Sequence, residues 1–411
     1  MLWKLSLPFL KINKRLKPGF TKRHSSLHLS KADIWIQAAS AGEAYLAVNI
    51  IQTLDPKANT TMLVTSSTSQ GVDILKAGLS KETISCFIKI QIELFPFDMP
   101  ETIKAVVKAI NPTVMVLLET EIWPALLYYL KKNSSKILII NARLSQKSFI
   151  NYMKTSFLWK HLSPDNILAI SSLDAKRYKS LFRDATVKTM PNIKFESIEA
   201  NRPDAPALKQ IKTILPKKFP LTILASIRRQ EEKEVILLLK KILKRFPNQV
   251  IAIFPRHMHR ITSWEKLLNS HNLNFHLRSR IFTPITNPAI ILWDTFGELK
   301  TAYSLASVVF VGGSLKPLGG QNFIEPAIEG AVTIIGPYYN DFAWADDAIF
   351  DKKIVLKNEN WKSVAKTIVQ YLKNPVNKKN NILQSREYME LNRGGTLKAC
   401  NEILKVFDQL N

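Results

Sequence analysis

A carboxylate follows the first apolar run of the chain at a spacing that suits two different roles. Residues 34–38 form that run, and Glu43 comes shortly after it, with Ser40 and Gly42 in between. Ser40 and Glu43 fit a capping box, in which each side chain accepts a hydrogen bond from a backbone amide at a helix start. Alternatively, Gly42 lets a substrate approach the backbone while Glu43 acts as a general base. The position directly after a strand favours the catalytic interpretation and leaves the capping one open.

A second group of acids follows another apolar run, at residues 114–118. Glu119 and Glu121 come directly after this run, and Trp123 and Pro124 come next. Two carboxylates beside a Trp and a Pro at the end of a strand are unfavourable to bury without a function. A functional role and a structural role both remain open for these acids.

The C-terminal half has loops of a kind that binds anions. Arg256 follows one apolar run, and Gly312 and Gly313 follow another, in a chain with only 13 glycines. Paired glycines expose backbone amides, which together with a helix start near Asn322 would form a phosphate cradle. Glu325, in the same stretch, suits the two hydroxyls of a ribose. The alternative is an ordinary tight turn followed by a favourable acid in the first turn of a helix.

Several common cofactor and metal motifs are missing from the sequence. The chain has no GxGxxG, no GxxxxGKS/T and no Asp-x-Asp, which excludes a dinucleotide fingerprint, a P-loop and the usual anchor for a metal-bound nucleotide sugar. His257 and His259 form the one close histidine pair, and no carboxylate lies at ligand spacing from them. We therefore expect no metal. Cys86 and Cys400 lie far apart without a CxxC partner, which predicts a reducing compartment.

Short β-branched runs alternate with longer amphipathic stretches, a pattern typical of βαβ units around parallel sheets. Ten runs are predicted strands: 34–38, 62–65, 114–118, 137–140 and 167–170 in the first half, and 222–226, 250–254, 290–293, 308–311 and 332–335 in the second. Residues 196–220 are rich in Pro, Lys and Ala without a strand signal, so they are the predicted linker. The fold class is therefore α/β, with two Rossmann-like domains whose ligands bind at the carboxyl ends of the strands, in the cleft between the domains.

The composition agrees with a folded, basic protein of two domains. The chain has 411 residues, 46% of them hydrophobic and 22% charged, and 58 Lys and Arg against 33 Asp and Glu give a net charge of +25. This length exceeds a single core, and the apolar fraction excludes a disordered chain. We predict a basic membrane-anchor segment at residues 1–30, an N-terminal Rossmann-like domain at 31–200, a C-terminal Rossmann-like domain at 201–385 and a helical segment at 386–411.

The first 23 residues combine an apolar stretch with a basic cluster. Residues 1–12 are mostly apolar but too short to span a bilayer, and no signal-peptide cleavage site follows them. Apolar side chains beside cations suit an interfacial anchor on an anionic membrane, and the alternative is a solvated, frayed tail. The basic cluster of this segment consists of Lys11, Lys14, Arg15, Lys17, Lys22 and Arg23.

Taken together, the motifs resemble those of bacterial 3-deoxy-D-manno-octulosonic acid (Kdo) transferases over nearly the whole chain. They are SAGE at 40–43, PFD at 96–98, ETEIWP at 119–124, NARLS at 141–145, NIKF at 192–195, PRH at 255–257, DTFGEL at 294–299 and the glycine-rich block at 312–326. The resemblance implies a GT-B fold, with two Rossmann-like domains facing each other across a central cleft. The domain at 31–200 would bind the acceptor, and the domain at 201–385 would bind CMP-Kdo. It also implies metal-free transfer of Kdo from CMP-Kdo to the lipid A precursor (lipid IVA), with inversion, at the cytoplasmic face of the bacterial inner membrane.

The same resemblance implies roles for individual residues. Glu43 would be the catalytic base, and Glu119 and Lys194 would assist the transition state. The CMP moiety would be held by Pro255, Arg256, Phe296, Gly297, Glu298, Asn322, Phe323, Ile324 and Glu325. The donor site departs from the family where Arg228 replaces the usual His, and where Gln321 and Phe323 replace the usual His and Pro. A guanidinium pairs well with phosphate and carboxylate, so Arg228 could take over as an anion ligand.

Two other classes of protein remain as alternatives. The charge of +25 could mark a non-catalytic polyanion-binding protein, although no nucleic-acid motif is present and the carboxylates at strand ends would repel phosphates. Another GT-B glycosyltransferase with a different nucleotide sugar is the closer alternative, because the fold does not fix the donor. The expected partners are CMP-Kdo, the lipid A precursor and the anionic inner-membrane surface, to which the chain attaches peripherally or by its N-terminus. No nucleic acid, no protein partner and no cofactor besides the donor substrate are expected.

Overall fold

The chain forms two compact units. The computed structural model describes Phe20, Arg23 and residues 29–80, 82–196, 205–216 and 218–410. The first unit contains residues 1–197 and 392–411, and the second contains residues 198–391. The end of the chain therefore returns to the first unit, so that residues 386–411 are divided between the two.

The first unit is built on a parallel sheet with helices on both faces. Its strands are β1 (Ile34–Ala38), β2 (Thr60–Ser66), β3 (Ile88–Leu94), β4 (Val114–Leu118), β5 (Lys136–Ala142), β6 (Asn166–Ala169) and β7 (Thr186–Thr189). Its helices are α1 (Ala41–Thr53), α2 (Ser69–Gly78), α3 (Pro100–Ile110), α4 (Pro124–Lys132), α5 (Gln146–Met153), α6 (Ser156–His161), α7 (Ser172–Leu181) and, at the end of the chain, α16 (Gly395–Asp408). The strand order is β3-β2-β1-β4-β5-β6-β7.

The central strands of this sheet are buried on both faces. Ile36 of β1 pairs in register with Val64 of β2 on one side and with Val116 of β4 on the other. Ile36 belongs to one apolar core and Trp35 to the core on the opposite face. Strands covered by helices on both faces are mostly apolar, which is why β4 is a continuous apolar run in the sequence and β1 is interrupted only by Gln37.

The second unit repeats this architecture. Its strands are β8 (Leu221–Ile227), β9 (Val250–Pro255), β10 (Phe275–Leu277), β11 (Ala289–Leu292), β12 (Val308–Val311), β13 (Val332–Ile335) and β14 (Val355–Lys357), in the order β10-β11-β9-β8-β12-β13-β14. Its helices are α8 (Ala205–Ile214), α9 (Glu232–Arg245), α10 (Ile261–Ser270), α11 (Leu299–Tyr303), α12 (Ile324–Ile328), α13 (Ala348–Asp351), α14 (Trp361–Lys373) and α15 (Lys378–Leu391). The α/β prediction with two Rossmann-like units is confirmed.

All ten predicted strands are present, with ends shifted by up to two residues. The predicted linker contains α8, which the sequence pattern did not indicate. Strands β3, β7, β10 and β14 were not predicted, and each of them is an edge strand of its sheet.

In each sheet the strand order reverses at one point, because successive strands are added first on one side of the starting strand and later on the other. In the first sheet this point lies between β1 and β4, and in the second it lies between β8 and β12. In open α/β sheets the loops at the carboxyl ends of such strand pairs form the ligand site. These four loops are therefore where functional side chains are expected.

Arg23, one of the cations of the predicted membrane anchor, is buried in the first unit. Its Nε donates to the carbonyl of Phe95 at 2.7 Å, and its guanidinium carbon lies 4.2 Å from the centre of the Phe97 ring. Burial lowers the pKa of Arg23 to about 10. This cation is not available to lipid headgroups, which corrects the expectation for that residue.

The rest of the predicted anchor segment, from residue 1 to residue 28 apart from Phe20 and Arg23, lies outside the described residues. Phe20 packs on Phe97, with the two ring centres 5.3 Å apart. Within the described ranges, every helix is too short or too polar to cross a bilayer.

Candidate active site

Glu43 lies at the start of α1, beside the point of strand reversal in the first sheet. Its Oε2 accepts the backbone N–H of Ala39 at 2.6 Å, and its Oε1 accepts the hydroxyl of Ser40 at 3.0 Å. Ser40 caps the helix by accepting the N–H of Glu43 at 3.3 Å. The capping interpretation therefore describes the local geometry correctly for Ser40, while the Glu43 carboxylate reaches Ala39, one residue further back.

The Glu43 carboxylate is held near other acids, which changes its proton affinity. Burial, followed by the charges of Glu121 and Glu119, raises the pKa of Glu43 to about 8, although the bonds from Ala39 and Ser40 oppose this shift. A carboxyl whose pKa lies close to the working pH is suited to exchange protons with a substrate.

Glu119 follows β4 on the other side of the reversal point and pairs with Lys194. The Nζ of Lys194 lies 2.5 Å from Oε1 of Glu119, and both side chains are mostly buried. Glu119 has a left-handed backbone with φ of 56°, a conformation that is uncommon outside glycine. Its carbonyl accepts the hydroxyl of buried Tyr178 at 3.1 Å, which helps to hold that conformation. The structure thus brings two of the predicted catalytic residues into direct contact.

Glu121 completes the group of carboxylates. Its Oε2 accepts the indole N–H of Trp123 at 2.7 Å, and Gln37 of β1 also bonds its side chain. Burial raises the pKa of Glu121, and the neighbouring charge of Glu119 adds to this effect. We refer to Glu43, Glu119, Glu121 and Lys194 as the glutamate cluster.

Two asparagines fix the turn that carries Lys194. This turn is a short 3-10 helix, Ile193–Phe195. Asn141, at the end of β5, accepts the N–H of Ile193 at 3.0 Å, and Asn192 accepts the N–H of Lys194 at 3.0 Å. Both asparagines belong to sequence motifs, NARLS at 141–145 and NIKF at 192–195, but the sequence alone indicates no role for either. Asn141 also has φ of 57°, a signal that only the backbone shows.

Asp98, in the PFD motif, has a structural role next to the glutamate cluster. Its two carboxylate oxygens accept the backbone N–H groups of Ala125 at 3.1 Å and Leu126 at 2.8 Å. Helix α4 has no capping side chain at its own start, so Asp98 caps it from 26 residues upstream of Pro124. Burial raises the pKa of Asp98 to about 6.

In the second unit, cationic side chains gather at the carboxyl ends of β8 and β9. Arg228 follows β8, and exposed Arg256 follows Pro255, the buried last residue of β9. The backbone N–H of Arg256 donates to the carbonyl of Ile227 at 2.8 Å, which fixes the two loops side by side. The Nε of Arg228 is buried and has no hydrogen-bond partner in the described part of the chain. This arrangement suits an anionic group of a ligand.

The histidine pair after β9 belongs to the same cationic surface. The rings of His257 and His259 stack, with their centres 5.4 Å apart. The pKa of His257 is lowered by partial loss of solvent and then by Arg256, His259 and Arg228. Over the residues that the structure describes, no group of three or more His, Cys, Asp or Glu side chains could hold a metal ion.

The glycine-rich loop after β12 does not offer the phosphate cradle that the sequence predicts. The fully buried carboxylate of Glu231 accepts the N–H of Gly313 at 2.5 Å and the N–H of Leu315 at 2.7 Å. Gly312 donates its own N–H to the carbonyl of Ala225 at 2.8 Å. These amides are satisfied inside the protein, so the prediction is wrong for them. Sequence reasoning missed Glu231 as the group that shapes this loop.

Glu298 organises the predicted nucleotide loop at residues 294–299. One carboxylate oxygen accepts from Arg278 at 3.0 Å, and the other accepts from Trp293 and Thr295, each at 2.7 Å. Because these partners occupy the carboxylate, Glu298 fixes the loop. Phe296 projects from that loop with 92% of its surface exposed, beside Gly297, whose φ is 88°.

The last predicted donor segment is only partly accessible. Phe323 and Ile324 are buried, so their side chains are not available to a nucleotide. Glu325 accepts from the amide of Asn322 at 3.0 Å and lies 3.6 Å from the Nζ of Lys300. Helix α12 begins at Ile324 and has five residues, too few to supply an N-terminal anion site.

Comparison with known proteins relates the chain to one family. Residues 11–197 match the family described as 3-deoxy-D-manno-octulosonic-acid transferase (kdotransferase). A 3-deoxy-D-manno-octulosonic acid transferase of Haemophilus influenzae is 26% identical over 384 residues, which cover 92% of this chain and 88% of that protein. The chain is thus similar to Kdo transferases over most of its length, and the family match falls on its first unit. These relatives are enzymes of the glycosyltransferase class.

Two further similar proteins bear on length and fold. A bifunctional glycosyltransferase/methyltransferase of Fusobacterium nucleatum is 29% identical over 97% of the chain, and the chain spans 61% of that relative. The crystal structure of a glycosyltransferase from Rickettsia africae is 13% identical, with a TM-score of 0.57 over 92% of this chain and 98% of that one. The fold is therefore that of the two-domain α/β glycosyltransferases of the GT-B class.

Proposed function

We propose that this enzyme transfers Kdo from CMP-Kdo to the lipid A precursor, lipid IVA, with inversion at the anomeric carbon. The single observation that carries this proposal is the glutamate cluster at the point of strand reversal in the first sheet. It combines a carboxyl with a raised pKa, Glu43, and an ion pair, Lys194 with Glu119. Similarity to Kdo transferases supports the identity of the transferred acid.

Glu43 acts as the general base in this mechanism. Its ionised form accepts the proton of the acceptor hydroxyl while the oxygen forms a bond to the anomeric carbon of Kdo. The bond from that carbon to the phosphate oxygen of CMP breaks at the same time, and CMP leaves with the electron pair. Attack from the opposite face inverts the configuration. A well-placed base accelerates such a step by about 10²- to 10⁴-fold.

The ion pair of Lys194 with Glu119 influences the pKa of Glu43. The charge of Glu119 raises the pKa of Glu43, and Lys194, 2.5 Å from Glu119, offsets that charge. The pair keeps Glu43 ionisable near neutral pH, because opposite charges favour the ionised forms of one another. Lys194 also supplies a fixed positive charge to the transition state.

The donor anions are held in the second unit. Arg228 and Arg256 stand at neighbouring strand ends, and the buried Nε of Arg228 has no hydrogen-bond partner among the described residues. Guanidinium groups form charge-assisted hydrogen bonds to phosphate and carboxylate, and CMP-Kdo carries both. Glu325 remains the proposed acceptor for ribose hydroxyls.

An exposed apolar surface in the first unit supports contact with the inner membrane. Helices α5 and α6 expose Ile150, Met153, Phe157 and Leu158, which we call the α5–α6 surface. Residues 122–164 contain no Asp or Glu. They carry the cations Lys131, Lys132, Lys136, Arg143, Lys147, Lys154 and Lys160. Of these, exposed Lys147, Lys154 and Lys160 lie on or between the two helices, whereas Lys136 is paired with Asp165 at 3.0 Å. Apolar side chains with cations beside them fit the interface of an anionic leaflet.

The α5–α6 surface begins near the glutamate cluster. Tyr152, on α5, has its pKa raised by burial and then by the charge of Glu121. A lipid held at this surface would therefore present its sugar close to the carboxylates. The alternative functions, transfer from another nucleotide sugar and polyanion binding without turnover, are not favoured, because the family match points to Kdo.

The test is CMP release from CMP-Kdo in the presence of lipid IVA. We expect Glu43→Gln to fold normally, because the amide oxygen still accepts the N–H of Ala39, and to lose at least about a hundredfold in turnover. Glu101→Gln is the matched control, since Glu101 also lies in the first turn of a helix, exposed at the start of α3. Near-wild-type turnover in Glu43→Gln, or no CMP release by the wild-type enzyme, would contradict the proposal.

A further inference from the structure

The two places where the chain crosses between the units are joined by one side chain. The chain leaves the first unit after residue 197 and returns to it at residue 392. Glu196, at the first crossing, accepts the backbone N–H of Gly394 at 2.9 Å and that of Thr396 at 3.0 Å. All of these residues belong to the first unit, and Glu196 lies two residues after Lys194.

Glu196 takes the place of the cap that α16 lacks. Gly394 stands at the N-cap position with a left-handed φ of 95° and has no side chain to accept a hydrogen bond. The first amides of a helix need acceptors, and a carboxylate is favoured there because it also interacts with the helix dipole. Glu196 is therefore a cap supplied from about 200 residues upstream.

Helix α16 packs closely against the turn that carries Lys194. A Cβ added at Gly395 would lie 2.3 Å from the carbonyl oxygen of Pro191 and 3.0 Å from the backbone N of Ile193. The first of these distances is shorter than real contacts allow, so a larger residue at this position would push the helix and the turn apart. The start of α16 thus lies directly against the turn Ile193–Phe195.

Helix α16 also packs under the helix that begins beside Glu43. The Sγ of Cys400 lies 3.3 Å from the carbonyl oxygen of Ile50, in α1. Cys400 and Ile403 belong to the same apolar core as Ile50. One helix therefore supports both the element that carries Glu43 and the turn that carries Lys194.

We propose that Glu196 is a positioning residue of the glutamate cluster: it clamps the start of α16 against the turn Ile193–Phe195 and so sets the distance between Lys194 and Glu119. The hydrogen bonds to Gly394 and Thr396 and the close contact at Gly395 support this role. The proposal rests on the proposed function for its kinetic readout only.

The first experiment measures the clamp without any turnover. Hydrogen–deuterium exchange of the full chain is followed in peptides covering residues 191–196 and 393–400. Glu196→Ala should speed exchange in both peptides by at least about tenfold, because the helix start loses its acceptor. Asn360→Ala is the matched control, since Asn360 caps α14 in the second unit by accepting from Lys362 and Ser363. It should leave both peptides at the wild-type rate.

The second experiment tests whether the clamp acts through Lys194. We expect kcat for Kdo transfer to fall about tenfold in Glu196→Ala, with the KM for CMP-Kdo within about twofold of wild type. The acid limb of the kcat profile should move to higher pH, as in Lys194→Ala, because Glu119 loses its counter-charge and raises the pKa of Glu43 further. The variant that combines Glu196→Ala with Lys194→Ala should have a kcat no lower than that of Lys194→Ala alone.

Other outcomes separate this proposal from the proposed function. Unchanged exchange in both peptides, or full additivity of the two substitutions, would overturn the clamp. Changed exchange in an enzyme that releases no CMP from CMP-Kdo would instead count against the proposed function. Glu196→Gln keeps one acceptor and should recover part of kcat. If Glu196→Ala fails to fold, Gly395→Ala takes its place, since its Cβ separates the same two elements.

Discussion

Gly313 donates its backbone N–H to the buried carboxylate of Glu231 at 2.5 Å, across 82 residues of chain. The same carboxylate also accepts from Leu315 and from the N–H of Arg228. Glu231 therefore ties the loop after β8 to the loop after β12, on the two sides of the strand-reversal point. This buried carboxylate therefore fixes the conformation of the glycine-rich loop after β12.

The first prediction concerns this tie. Glu231→Ala leaves two buried amides without an acceptor and should lower the free energy of unfolding by about 3 kcal/mol. It should also weaken CMP binding at least about tenfold, because the loops that carry Arg228 would no longer be fixed. Chemical denaturation and calorimetry with CMP measure the two effects.

The control for this prediction is Glu234→Ala. Glu234 lies in the first turn of α9, and its partner is the half-exposed Lys316. A surface ion pair contributes little to stability, so this variant should match the wild type in both measurements. Equal losses in the two variants would show that Glu231 has no special role in the loop.

The second prediction concerns pH. Turnover should rise as the pH rises towards about 8, because only the ionised form of Glu43 accepts a proton. The raised pKa means that the folded enzyme binds this proton more tightly than the unfolded chain does. The stability that it contributes is complete below a pH of 4.5 and is lost as the pH rises through about 8.

Glu43→Gln cannot ionise, so it separates the two effects. Its melting temperature should equal or exceed that of the wild type, and the advantage should be larger at pH 9 than at pH 5. Differential scanning calorimetry at both pH values measures the difference. A constant difference at the two pH values would mean that Glu43 titrates with an ordinary pKa.

The strands that the sequence failed to predict have a common physical reason. Edge strands β3, β7, β10 and β14 pair on one side only, and β3 reads IKIQIEL, with polar residues at alternate positions. Such alternation belongs to a half-exposed strand, and charges on an edge also block unwanted pairing. A search for continuous apolar runs finds the buried central strands and misses these edges.

The site was predictable where it is local and unpredictable where it depends on distant contacts. Glu43, Glu119 and Arg256 all follow predicted strands, so position alone makes them candidates. By contrast, the use of the loop amides by Glu231 depends on a contact between residues 82 positions apart. The burial of Arg23 likewise depends on its contacts with Phe95 and Phe97. The basic run in the sequence therefore does not show that this cation differs from the others around it.

The third prediction concerns the donor. Arg228→Ala and Arg256→Ala should each weaken CMP binding by about tenfold or more, because each removes a charge-assisted hydrogen bond to an anion. Glu325→Ala should also weaken CMP binding. Binding of the lipid precursor should change less in all three variants. Calorimetry with each ligand alone makes the comparison.

Arg229→Ala is the matched control for the arginines. Arg229 follows Arg228 directly, is exposed and carries the same charge. It should leave the affinity for CMP unchanged, which rules out a general effect of net charge. Equal weakening by Arg229→Ala would place the anion elsewhere on the basic surface.

The last prediction concerns membrane attachment. Phe157 on the α5–α6 surface is 69% exposed, and replacing it and Ile150 by Ser should weaken binding to vesicles that contain anionic lipid. Phe282→Ser is the matched control, because Phe282 in the second unit is 86% exposed and has Arg280 close to it in sequence. Sedimentation with vesicles of mixed phosphatidylglycerol and phosphatidylethanolamine measures binding.

A truncation separates this surface from the N-terminal segment. Removing residues 1–19 keeps Phe20 and Arg23, which pack on Phe97, so turnover on a detergent-dispersed acceptor should persist. If the N-terminal segment is the main anchor, as its sequence predicts, the truncated enzyme should lose most of its vesicle binding. Each cation near an anionic leaflet contributes about 1 kcal/mol, so the part of the binding that it carries should fade as salt is added. Retention of binding after truncation, combined with its loss in the doubly substituted enzyme, would assign attachment to the α5–α6 surface. Wild-type binding by both variants would contradict the two assignments together.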